Sequence, residues 1–174
     1  MRRTRWFDRR FPPIDDNGLL PGILERLEGT APRLRSLLAG VERAAPVESG
    51  WSVAQEVGHL IDLEPLWLHR AQEIMRGQPA LTNADLTNRA THEGDHDQWP
   101  VAQLVERFER TRQALVSALR GANDGDLERS ALHPRLGTPM RLIDLAYFVA
   151  EHDDHHLARL RELTTNHGTN TREL

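Results

Sequence analysis

Glu151-His152-Asp153-Asp154-His155-His156 puts three of the chain's nine histidines and three carboxylates into six consecutive residues. On a helix, His152 and His156 project from one face, about one turn apart. Two imidazoles so placed can bind one transition metal, with a third ligand arriving from another element. The same residues can also form a solvated, charged helix face, and this stretch alone leaves both readings open. The chain has no cysteine, which excludes a disulfide framework, a thiolate nucleophile and a Cys-type zinc site. Any metal must be held by histidine and carboxylate. A second i, i+4 pair, His92 and His96 with Asp95 nearby, lies in a polar stretch. It could line a substrate mouth or belong to a solvated loop.

The elements that must position these residues are helical. Apolar positions from Leu19 to Val41 follow helical spacing, and Gly29-Thr30-Ala31-Pro32 interrupts them, so the first helix is expected to be kinked or split. Ser52 followed by Gln55 is a capping-box pattern that opens a second helix running to about Met75, with Pro65 bending it. Residues 77–99 form a long polar connection. Trp99-Pro100 opens a third helix. Residues 126–139 read as a short helical turn and a loop, with Pro139 at the start of a fourth helix that ends near Leu163. No strand pair and no internal repeat is evident. The expected architecture is all-α, a four-helix bundle with a long connection between helices two and three. Residues 1–16 form an N-terminal arm with Trp6, Phe7 and Phe11 as anchors, 17–163 the bundle, and 164–174 a frayed tail. A loop is expected over 44–50.

A helical wheel divides the histidines. At about 100° per residue, His152 and His156 lie beside the apolar line through Leu142 and Leu160, whereas His155 turns toward the polar side with Arg159. Asp153 falls within the apolar stripe, so it should find a donor, a backbone or indole group, or else sit at a wet bundle end. Glu64 is the acid within the stripe of the second helix. His59 lies on a flank of that helix, and the wheel permits it as an inward ligand without selecting it.

Composition bounds the function further. At 174 residues the chain is long enough for one domain with a real core. A net charge of −4 with no basic block argues against a nucleic-acid surface. No apolar run approaches a membrane span, and the basic start, Met1 to Arg10, lacks the apolar segment of a signal peptide. The default location is the cytoplasm.

Gly50-Trp51-Ser52-Val53-Ala54-Gln55-Glu56-Val57-Gly58-His59-Leu60, followed by Glu64, Trp67 and Arg70, resembles the DinB/YfiT-like superfamily. So does His152-Asp153-Asp154-His155-His156-Leu157, followed by Arg159 and Leu160. Ala131-Leu132-His133-Pro134 and Gly137-Thr138 resemble the segment these proteins carry before their last helix. The resemblance covers roughly residues 11–163. It implies a four-helix bundle, often a homodimer, with a divalent metal held by three histidines, which here are His59, His152 and His156. Nickel or zinc is typical of such sites, with manganese or iron also compatible.

Three imidazoles leave a coordination position open, as catalytic rather than structural sites do. Such a metal could acidify a bound water or activate a substrate thiolate. The resemblance accordingly implies either a metal-dependent hydrolase or a transferase using a low-molecular-weight thiol such as bacillithiol or mycothiol, acting on a small molecule. Glu56, Glu64 and Asp153 are the candidates for supporting the ligands or moving protons. The competing readings are a non-catalytic bundle that binds metal or a ligand, with a stress-related role, and a purely structural role for the histidines.

Overall fold

The protein is described by a computed structural model over residues 4–42 and 50–169. Most of the loop expected over 44–50, and the tail beyond residue 169, lie outside the described residues.

The first helix is split as its Gly-Thr-Ala-Pro interruption predicts. α1 spans Leu20–Glu28, with Pro21 in its first turn, and α2 spans Thr30–Leu37. α3, Val53–Met75, is continuous through Pro65. It opens on a complete capping box: the Ser52 hydroxyl oxygen accepts from Gln55 N at 3.0 Å, and Gln55 Oε1 accepts from Ser52 N at 3.1 Å. The same hydroxyl donates to Asp97 at 2.6 Å, so the cap also fastens the following long connection. Ser52→Ala is expected to lower stability by about 1 kcal/mol, read as a shift in the urea midpoint with an unchanged slope.

That connection is more ordered than its polar composition implies. It contains α4, Arg89–Glu93, and a 3₁₀ turn at His96–Gln98. α5 covers Val101–Arg120 and α6 covers Asp124–Glu128. A two-stranded antiparallel hairpin follows, where no strand pair was expected. β1, Ser130–Leu132, pairs with β2, Pro139–Arg141, with Ala131 opposite Met140 and both buried. Strands of three residues are too short to display an alternating pattern, and for that reason the sequence concealed them. Pro139 therefore begins an edge strand, where its missing N–H costs nothing, rather than a helix. α7 starts at Leu142 and continues to Thr169, past the end near Leu163 that the sequence suggested.

α3 packs on both α5 and α7, and the α1–α2 pair completes the bundle. The apolar core is in two clusters. One gathers Leu27, Trp67, Ile74, Leu115, Leu145 and Val149; the other gathers Leu34, Val57, Leu60, Leu104, Phe108 and Leu160. Between them lies a buried polar layer with one residue each from α2, α3, α5 and α7: Thr30, Glu64, Arg112 and Asp153.

The N-terminal residues pack along α7. Trp6 lies 5.3 Å from Phe11 and 5.4 Å from Phe148 between ring centroids. Arg9 pairs with Glu151, and Asp144 accepts from Ile14 N at 2.7 Å. Phe7, expected as an anchor, is 57% exposed.

Candidate metal centre

His59 sits two turns beyond the Ser52 cap on α3, while His152 and His156 occupy successive turns of α7. All three are buried, none more than 5% exposed. One potential ligand atom from each lies within 4.8 Å of the others. The ring centroids are 4.5 Å apart for His152–His156, 4.8 Å for His59–His156 and 5.3 Å for His59–His152. The elements thus bring together the residues that the wheel and the resemblance singled out.

Hydrogen bonds decide which nitrogen each ring can offer. Glu56, wholly buried, accepts from His156 Nδ1–H at 2.6 Å, which leaves the Nε2 lone pair facing inward. Thr91 Oγ1 stands 3.0 Å from His59 Nδ1 and 3.2 Å from Asp62 Oδ2. A carboxylate only accepts, so Thr91 donates to Asp62 and accepts from His59 Nδ1–H, again leaving Nε2 free. His152 Nε2 lies 3.2 Å from His156 Nε2, and its Nδ1 is buried without a partner. Three nitrogens each about 2.1 Å from one tetrahedral centre would stand about 3.4 Å apart, so the two α7 rings already have a ligand pair's spacing. Burial is the main force keeping these rings neutral, the form that binds metal. It drives His59 down to about 4 against the pull of Glu56 and Asp62, and holds His152 and His156 well below the usual histidine range.

The three candidate carboxylates have different surroundings. Glu56 holds His156, and Arg159 Nε stands 2.7 Å from its other oxygen as an ion pair that is not aligned for a hydrogen bond. Burial raises the Glu56 pKa, while the Arg159 and His59 charges oppose it. Glu64 and Asp153 both bind Arg112. Its Nε and Nη2 reach Glu64 at 2.6–3.1 Å, and its Nη1 and Nη2 reach Asp153 at 2.5 and 3.0 Å. The Thr30 hydroxyl adds a further contact to Asp153 at 2.7 Å. The donor for Asp153 is therefore a guanidinium and a hydroxyl, rather than the backbone or indole group expected. With their oxygens taken up in this layer, Glu64 and Asp153 do not line the cavity. They are placed to hold α3 and α7 in register behind the histidines.

Arg112 was missed at the sequence level, although a signal exists. It falls on the apolar line of α5 between Phe108 and Leu115, as Glu64 and Asp153 do on theirs. Three charged residues interrupting three apolar stripes could have been paired. Thr91 and Asp62 carried no such signal.

In front of the histidines opens a cavity of about 680 Å³, within the range of small-molecule sites. Trp6, Trp51, Trp67 and Phe148 line it. Trp51 lies 4.6 Å from His59, Trp67 lies 5.6 Å from His152, and Trp6 lies 5.2 Å from His152. His155 also lines the cavity, stacked on Trp6 at 5.5 Å, rather than turning away as the wheel indicated. The N-terminal segment crosses α7 here and covers that flank. His92 and His96 do not line the cavity. His96 is buried over Gly58 and bonds Asp62 at 3.0 Å, and His92 touches the edge of Trp51. Taken together, the site offers three neutral imidazoles on one side of an aromatic-walled cavity.

The family model of the DinB superfamily matches residues 25–160. Among solved structures, the chain is similar to YfiT from Bacillus subtilis, at 21% identity and a TM-score of 0.74, over 91% of this chain and 94% of that one. YfiT is described as a probable metal-dependent hydrolase with an unusual four-helix bundle topology. At this identity the likeness establishes the fold. None of the curated proteins matches the chain.

Proposed function

This chain belongs to the DinB superfamily, and from that premise we propose that it is a metal-dependent hydrolase of a small molecule, with His59, His152 and His156 as ligands of a divalent cation. The observation that carries the proposal is the hydrogen bonding behind the rings. Glu56 and the Thr91–Asp62 pair hold the Nδ1–H groups of His156 and His59, which leaves Nε2 of each ring an acceptor turned inward, that of His156 beside His152 Nε2 at 3.2 Å. Such outer partners orient metal ligands and raise their basicity. A divalent metal bound by three imidazoles supplies Lewis acidity and lowers the pKa of a bound water. The chain's own residues do the remainder. Glu56 and Thr91 fix the rings, the Arg112 layer fixes the helices that carry them, and the tryptophans limit water around the reacting group.

YfiT's description as a probable metal-dependent hydrolase favours hydrolysis over transfer. The thiol-dependent transfer implied by the sequence resemblance would use the same cation, and so would a non-catalytic metal-binding bundle.

The test is metal content, measured by an X-ray absorption-edge scan and mass spectrometry on protein purified without a histidine tag. The expected result is nickel or zinc near one per chain, lost in both His59→Ala and His152→Ala. Full occupancy in both variants would exclude this ligand set. Loaded protein is then offered ester and amide substrates with and without a low-molecular-weight thiol. Turnover that requires the thiol would reassign the reaction as transfer, and metal without turnover would favour the binding reading. The homodimer implied by the family is checked on the same samples by light scattering.

A further inference from the structure

The hairpin end of the cavity holds three N–H donors that lack an acceptor. His133, directly after β1, is 2% exposed. Its Nδ1 accepts from the backbone N–H groups of Arg135 and Leu136, each at 3.2 Å. A neutral imidazole that accepts at Nδ1 carries its proton on Nε2. That Nε2–H faces Nη1 of Arg70 at 3.2 Å. A guanidinium has only donors, so two donors meet with nothing between them to accept. Close by, Nη2 of Arg135 is buried without a partner.

Neither arginine is directly paired; the opposing charge that acts on Arg70 is Glu73, whose oxygens are taken by Thr82. Arg70 is 2% exposed, and its Nε and Nη2 both donate to a single carbonyl, Thr82 O, at 3.0 and 2.7 Å. Arg135 Nη1 donates to Phe7 O at 3.2 Å. Among the described residues, no carboxylate forms an ion pair with either. Burial accordingly lowers the Arg70 pKa to about 10, and burial together with the two arginine charges lowers His133 to about 4. Arg5, Arg70, Arg135 and Arg159 line the cavity; Arg159 is paired with Glu56, and the one carboxylate in the lining, Asp85, is already engaged by Thr87 and by Arg89 N–H.

Buried donors without acceptors are costly, and an uncompensated positive cavity concentrates anions. We infer that Arg70, His133 and Arg135 form a binding subsite for an oxyanion group of the substrate, a carboxylate or a phosphate. Its oxygens would accept from all three donors and neutralise the buried guanidinium charge. The subsite is joined to the histidines by aromatic rings. Trp67 lies 5.6 Å from the His152 ring and 5.5 Å from the Arg70 guanidinium carbon, while Phe148 lies 5.8 Å from that of Arg135. The Trp67 ring is thus within 6 Å of both the Arg70 guanidinium and the His152 ring. The substrate class is a small acid whose charged group lies across Trp67 from the bond to be cleaved. As a statement about substrate this rests on the proposed hydrolase; the anion subsite stands apart from it.

The probes are benzoate and phenylphosphonate, titrated calorimetrically into chelator-treated protein. Saturable binding is expected in the wild-type chain and equally in His59→Ala, with affinity reduced about tenfold or more in Arg135→Gln. Arg135 is partly exposed on the hairpin turn, and circular dichroism verifies that the variant is folded. Tighter binding of one probe assigns the group as carboxylate or phosphate. Unchanged affinity in Arg135→Gln, binding that vanishes with the metal, or no binding of either probe would overturn the inference. Absence of metal from the untreated protein would instead sink the hydrolase reading and leave the anion subsite intact.

Discussion

Arg112→Met is expected to cost about 3–5 kcal/mol, among the largest effects available from a single change in this chain. Arg112 is 3% exposed and is the only cation in contact with Glu64 and Asp153 among the described residues. Burial raises the Glu64 pKa, and the Arg112 charge is what opposes it. Removing the guanidinium leaves two carboxylates facing one another without water or a counter-ion, and Thr30 can donate to only one of them. The cost thus comes less from the lost attraction than from the stranded acids. The test is urea unfolding followed by far-ultraviolet circular dichroism, on Arg112→Met and on the triple variant Arg112→Met/Glu64→Leu/Asp153→Leu. The triple variant should recover most of the loss, because apolar replacement of a complete buried ion network is close to neutral. A loss under about 1 kcal/mol in Arg112→Met would mean that the carboxylates reach water.

The second large effect is expected at Gly58, where the sign of the change is itself informative. Alanine is the better helix former by about 1 kcal/mol, so at an open position in α3 the substitution would stabilise. Here a Cβ would lie 2.3–2.5 Å from three ring atoms of His96, closer than any contact allows. The His96 ring is buried and bonded to Asp62, so it cannot swing aside freely. Gly58→Ala should destabilise the protein by about 1–3 kcal/mol. It should also weaken metal binding, since Asp62 holds Thr91, and Thr91 holds His59. Gly58→Ala/His96→Ala removes the clash and should regain stability in thermal melts. If Gly58→Ala alone were as stable as the wild type, the close packing of His96 would be disproved.

Helix positions, the split at Gly29, the Ser52 cap and the inward pair His152 and His156 were legible because each rests on local spacing. Helical periodicity and capping chemistry act over four residues or fewer. His59 was legible only through the family resemblance, since a flank position on a wheel says nothing about which neighbour it meets. Arg112 is marked in the sequence only as a charge interrupting an apolar stripe, and Thr91 and His133 belong to long-range pairings whose partners no local pattern names. A wheel treats the face bearing His155 as solvent, whereas Trp6 arrives from the far end of the chain and covers it. His96 falls in a polar stretch, and its burial over Gly58 depends on two elements whose meeting no local pattern shows.

The four-residue polar layer also has a consequence for how the molecule moves. It ties one side chain from each bundle helix to the same cross-section, in bonds that tolerate shifts of only a few tenths of an ångström. Sliding α5 by one turn, about 5.4 Å, would break every bond that Arg112 makes to Glu64 and Asp153, and sliding α7 would break those of Asp153 to Arg112 and Thr30. The layer is therefore a ruler against axial slip, and the ratchet-like shifts by which some helical proteins change state are closed to this one. Entry to and exit from the cavity then fall to its non-helical walls, the N-terminal segment and the connection after α3, on the nanosecond-to-microsecond scale of loop motion, while the helices bearing the imidazoles keep their mutual offsets.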